Sequence, residues 1–145
     1  MSIDVGIALA RSSSRVDGRQ GAALGYGGVR MKYALLIYAD EKAMESVPHD
    51  QRHAIYEEYE KFANELVERG VMRGGDQLAD SPAATTVRVR DGEQLVTDGP
   101  FAETKEQLGG YFLVEVDDLD TAIELASKIP GARHGSVEVR PIIEG

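Results

Sequence analysis

Two almost unbroken apolar runs, KYALLIYAD (Lys32–Asp40) and GYFLVEV (Gly110–Val116), limit what this chain can fold into more than any other feature. Runs of this kind suit central strands, either buried on both faces or buried on one face and packed at an interface on the other. A sheet built around them needs a helix layer on one side and cover on the other. The segments in between supply the helices. Ile55, Tyr59, Phe62, Ala63 and Leu66 recur at spacings of three and four, so a helix predicted over residues 47–69 has one apolar face. Ser46 is its expected N-cap, Pro48 fits the first turn and Gly70 the position just past its end. Tyr59 lies on the apolar face, so its hydroxyl enters the interior and needs a partner. A second helix, LDTAIELASKI, follows a cap at Asp118 or Asp120 and stops before Pro130-Gly131.

The other strands are shorter. VMRGGDQLA (71–79) reads as a strand with a glycine bulge. TTVRVR (85–90) alternates, so one face is expected to be wet. Asp91-Gly92 is a two-residue hairpin turn, and EQLVT (93–97) returns from it. SVEVRPII (136–143) is the last strand. The order is β-α-β-(β-β)-β-α-β. Without the hairpin it is the split βαβ of a ferredoxin-like α+β fold. The apolar character of the strands predicts a homodimer in which two sheets pack face to face.

Size and charge remove several function classes. At 145 residues the chain is long enough for one domain with a real core. It has no cysteine, so thiolate metal sites, disulfides and a cysteine nucleophile are absent. A reducing cytoplasm is the expected location. The net charge is −9. Residues 1–30 hold four arginines against two aspartates, or +2, which leaves −11 on residues 31–145. Such a domain repels phosphate backbones, so direct nucleic-acid binding is not expected. No apolar run approaches the ~20 residues that span a bilayer. Residues 1–30, with six glycines and three consecutive serines, read as a disordered tail or a translated leader. Gly27-Gly28 precedes Met31 at the distance of a bacterial ribosome-binding site, so Met31 is the expected true start. The intact mass of the natively expressed protein decides between the two.

Candidate chemistry concentrates in VTDGPFAETKEQLGGYFLVEV (Val96–Val116). Asp98, Gly99 and Pro100 are turn formers, and Phe101 is expected to plug into the core. Glu103, Lys105 and Glu106 can bind a polar substrate or move a proton if burial shifts their pKa values. Gly109 and Gly110 allow close approach of a ligand or a second backbone. His134, in GARHGS, sits in a turn and is a candidate general base if that turn folds over a cleft. Tyr38 and Tyr59 complete the candidate set, Tyr59 as a hydrogen-bond or proton donor and Lys105 as the holder of an anion. A shaped turn and a solvated loop explain much of the same stretch. His49 and His53 have i, i+4 spacing but no third ligand in sequence, so no metal is assigned. No phosphate loop, nucleophile elbow or zinc-protease motif occurs, and no cofactor is expected.

MKYALLIYAD at Met31, DGPFAETKEQLGGYFLVEV at Asp98 and IPGARHGSVEVRPI at Ile129 together resemble the YCII-related family, in its DGPF branch. The resemblance covers residues 31–143 and implies a dimeric α+β barrel. A related branch is thought to use a histidine on the first helix and an aspartate before a proline as a catalytic dyad. Those positions fall here at Tyr59 and Ile129, and neither residue matches. The resemblance implies two partner classes. One is a small organic molecule, since relatives include a chlorinated-lactone dehalogenase and the wider fold includes muconolactone isomerases. The other is an extracytoplasmic-function sigma factor, for which the protein would be a non-enzymatic accessory or sensor.

Overall fold

The computed structural model describes residues 30–144. The reading of residues 1–30 as tail or leader falls, but for Arg30, outside the described residues. The two apolar runs form the central strands of a four-stranded antiparallel sheet, β1 (Met31–Ala39) and β5 (Gln107–Val116). The edges are β2 (Met72–Gln77) beside β5 and β6 (Ser136–Pro141) beside β1, giving the order β6-β1-β5-β2. Leaving out the hairpin, this is the strand order of a ferredoxin-like α+β fold.

Between β1 and β2 runs α2 (His49–Glu68), and between β5 and β6 runs α3 (Leu119–Ser127). Alternation along β1 and β5 sends Tyr33, Leu35, Ile37, Phe112, Val114 and Val116 to one face, where they meet Tyr59, Phe62, Ala63 and Leu66 of α2. Phe62 and Phe112 meet edge to face at 5.0 Å between centroids. Ala122, Leu125 and Ala126 of α3, with Ile129 beyond it, close the same core. Outside the core, Glu65 of α2 accepts from Arg69 at 3.2 Å and from Lys128 at 2.9 Å. Arg69 also pairs with Glu124 of α3, so a charge cluster ties the two helices.

Several local signals act as the residues dictate. Gly70 takes φ +71° and its N–H donates to the Val67 carbonyl, closing α2. Asp118 caps α3 by accepting from the Thr121 N–H at 2.8 Å. The β2 register shifts between Met72 and Gly74, the expected bulge. The hairpin strands β3 (Thr85–Arg90) and β4 (Glu93–Asp98) turn at Asp91 and Gly92, with φ +52° and +77°, the pair of positive values a type I′ turn requires.

Three expectations need correction. The helix predicted over 47–69 begins at His49, and a separate short helix, α1 (Glu41–Glu45), precedes it. Ser46 is therefore not an N-cap: it closes α1, its hydroxyl donating to the Ala43 carbonyl at 2.8 Å. Phe101 does not plug into the core and is 78% exposed. Nor does the hairpin have just one wet face. Among the described residues β3 and β4 pair only with each other, and Val87, Val89 and Val96 on one face and Leu95 on the other are all exposed.

The sheet face opposite the core carries Ala34, Leu36 and Tyr38 of β1 and Tyr111 and Leu113 of β5, all half-buried. No helix among the described residues is long and apolar enough to cross a membrane.

Candidate functional site

The chain after α3 makes a tight sequence of contacts. Ile129 and Pro130 are fully buried, and Gly131 opens a one-turn helix, α4 (Gly131–His134). The Gly131 N–H has no partner within its own turn. It donates instead to the Tyr59 hydroxyl oxygen at 3.1 Å. This is the partner the buried tyrosine needs. A Cβ on Gly131 would stand 2.8 Å from both the Tyr59 oxygen and Ile37 Cγ2, so only glycine lets the turn come this close. At the other end of α4, a Cβ on Gly135 would run into the Tyr38 carbonyl oxygen, which seats the turn on β1. Arg133 adds a third tie, one Nη donating to both carboxylate oxygens of Glu58 at 2.9 and 2.8 Å.

Between these parts lies an inner cavity of about 60 Å³. Its walls come from β1 (Ile37, Ala39), α1 (Met44), α2 (Ile55, Tyr59), β2 (Gln77), β5 (Gly109, Gly110) and the turn Pro130, Gly131 and His134. The lining is largely apolar. Gly110 is needed for fit: a Cβ there would approach the Asp76 carbonyl oxygen to 3.0 Å. Burial pushes the Tyr59 phenol up from 10.0 to about 12, against the smaller opposing effect of the Gly131 N–H. The phenol is therefore neutral and a donor over the whole physiological range. Tyr59 and His134 are the titratable side chains on this wall.

A second and larger space, of about 640 Å³, lies outside α1. The DGPF segment forms part of it, with Gly99 at φ +99° and its N–H donating to the Ala84 carbonyl at 2.6 Å. Thr86 Oγ1 donates to the Gly99 carbonyl at 2.8 Å. Asp40, Glu41, Glu45, Asp80, Asp98 and Glu103 line this outer cleft, with Lys42 and Lys105 as the two cations. Glu41 spans it: Ser81 donates its N–H and hydroxyl to the two carboxylate oxygens at 2.7 and 2.6 Å.

The sequence-based candidates thus separate into groups. Tyr59, Gly109, Gly110 and His134 line the inner cavity, and Asp98, Glu103 and Lys105 the outer cleft. Glu106 lines neither, and accepts from the Ser136 hydroxyl at 2.8 Å. Tyr38 pairs with Ser136 across the sheet and alternates to the open face. His53 is engaged by Glu57 at 3.0 Å and stacks on Tyr56. Among the described residues no group of three or more His, Asp or Glu side chains could hold a metal ion. Sequence reasoning missed Met44, Ile55, Gln77, Pro130 and Gly131 as cavity residues. The one signal that pointed there was the pair of glycines in PGARHG, each at a close backbone approach.

The YCII-related domain matches residues 31–145. An uncharacterised protein of Rhizobium meliloti (strain 1021) is 37% identical over 114 residues, which cover 77% of this chain and 92% of that relative.

The Tyr59 geometry generates a pH dependence. Its folded pKa lies above the unfolded value, so its contribution to stability is complete below pH 10.0 and is lost as pH rises through about 12. Denaturant unfolding of wild type and Tyr59→Phe measures it. The stability difference between them is expected to shift against wild type by ~2 kcal/mol across that interval. A pH-independent difference is the contrary result.

Proposed function

The chain belongs to the YCII-related family, and on that footing we propose that it binds a small, uncharged, hydrogen-bond-accepting molecule in the inner cavity. The observation that carries this reading is the Tyr59 hydroxyl, buried on an apolar wall and fixed by the Gly131 N–H. Its oxygen accepts from Gly131, and its proton is the group it offers a ligand. Among the described residues, no Asp, Glu, Lys or Arg side chain lines this cavity. An ionised ligand would therefore lose its hydration without gaining a counter-charge. His134, on the same wall, is the proton acceptor where the ligand has a proton to give. The DGPF segment, by which we place the chain in that branch of the family, frames the outer cleft through which the ligand arrives.

A thermal-shift series of small open-chain ketones, esters and matched carboxylates tests this. Neutral carbonyl compounds are expected to raise the wild-type midpoint, since native-state binding stabilises by mass action. Carboxylates are expected to leave it unchanged. Tyr59→Phe should weaken binding by roughly 10-fold, the loss of one hydrogen bond. A wild-type midpoint that no compound moves overturns the ligand reading. It would leave the accessory-protein reading, which the six carboxylates of the outer cleft support as a surface for a basic sigma-factor partner.

We also propose that the working unit is a homodimer joined through the open sheet face. The half-buried Leu36, Leu113 and Tyr38 support this, as do the exposed valines of a hairpin that is marginal alone in water. Light scattering on the eluting protein should give twice the chain mass, and Leu36→Glu should give the monomer. A wild-type monomer at micromolar concentration would contradict it.

A further inference from the structure

The inner cavity and the outer cleft meet at α1. Met44 lines the cavity, while Glu41, Lys42 and Glu45 line the cleft. The chain crosses the same divide between Ala39 and Asp40 and again between Gln107 and Gly109. One turn of helix therefore stands between a space of about 60 Å³ and one of about 640 Å³.

That turn is held at few points. A helix of five residues has no stability of its own. The Asp40 carboxylate caps it, accepting from the Lys42 and Ala43 N–H groups at 3.0 and 3.2 Å. Glu41 clasps Ser81 across the cleft. Met44 is its one buried residue. Methionine is unbranched, with three rotatable bonds, and fills irregular space without fixing its shape. The inner cavity is also small, well below the ~150 Å³ apolar void that accepts benzene.

We propose that Met44 is the specificity-determining residue of the Tyr59 cavity. Its side chain closes the cavity toward the outer cleft and so sets the size of molecule that can reach the Tyr59 hydroxyl. The inference rests on the ligand reading above for what Tyr59 does, and adds which ligands are admitted. With Met44 in place the class is narrow: uncharged acceptors of a few heavy atoms, of which acetone is the simplest. A ring is excluded until Met44 is moved or shortened. Met44→Ala removes Cγ, Sδ and Cε and joins the two spaces.

The test uses the full chain with labelled backbone amides and methionine methyls, titrated separately with acetone and benzene in NMR. In wild type, acetone is expected to shift the Met44 methyl and the Gly131 amide together, and benzene neither. Met44→Ala should bind benzene at least 10-fold more tightly than wild type, with shifts at Gly110 and Gly131. Met44→Val, which leaves less space, covers the case in which the alanine variant does not fold. Benzene has no strong acceptor, so Tyr59→Phe placed on Met44→Ala should leave its binding intact, whereas acetone binding should fall with Tyr59→Phe alone. Absence of any acetone effect in wild type, with the benzene result as expected, therefore counts against the ligand reading and not against Met44. Equal benzene affinity in wild type and a folded Met44 variant overturns the proposal. So does an acetone titration that moves the Gly131 amide and leaves the Met44 methyl unmoved.

Discussion

The hydrogen bond from the Gly131 N–H to the Tyr59 hydroxyl joins parts of the chain that are 72 residues apart. Three needs meet in it. A phenol carried into the core by the apolar face of α2 must find a partner. The first N–H of α4 must be satisfied outside its own turn. And the chain leaving α3 must be aimed back to pair with β1. A buried polar atom left without a partner costs about 1–3 kcal/mol, and each group here spares the other that cost. The exchange works only because residue 131 has no Cβ.

From this joint the layout of the site follows. The seated turn leaves a gap between α2, the ends of β1 and β5, and α1, and that gap is the inner cavity. Burial raises the phenol from 10.0 to about 12, so it stays protonated at physiological pH. Ile129, just beyond α3, is fully buried beside this joint. Asp98, Glu103 and Lys105 line the outer cleft, apart from Tyr59. The inner cavity is largely apolar, and the outer cleft is lined mostly by carboxylates.

Much of the fold was legible because its signals are local or periodic. The unbroken runs in β1 and β5 suit central strands, and they form them. The spacing of Tyr59, Phe62, Ala63 and Leu66 defined the buried face of α2, and Asp91-Gly92 defined the hairpin. Helix α1 was not legible, since a single buried residue, Met44, leaves no period to detect. Ser46 misled because a serine before a proline resembles a helix start as much as a helix end. Phe101 misled for another reason: turn chemistry fixes a backbone path and says nothing about where the next side chain points. The site was only half visible. The need of Tyr59 for a partner could be read from its helix face, but the identity of that partner depends on how a distant turn is seated. Glu103 to Gly110 looked like one site because they are adjacent in sequence, but the fold sends Glu103 and Lys105 to the outer cleft, Gly109 and Gly110 to the inner cavity, and Glu106 to Ser136.

The most direct measurement of the central joint is amide hydrogen exchange at Gly131, compared between wild type and Tyr59→Phe under conditions where both are folded. If the Tyr59 oxygen holds this N–H, the amide exchanges slowly in wild type. It then loses its protection in the variant, while core amides such as those of Leu35 and Phe112 keep theirs. Equal protection of Gly131 in the two proteins would mean that another group satisfies it, and the account of how this site is assembled would fail.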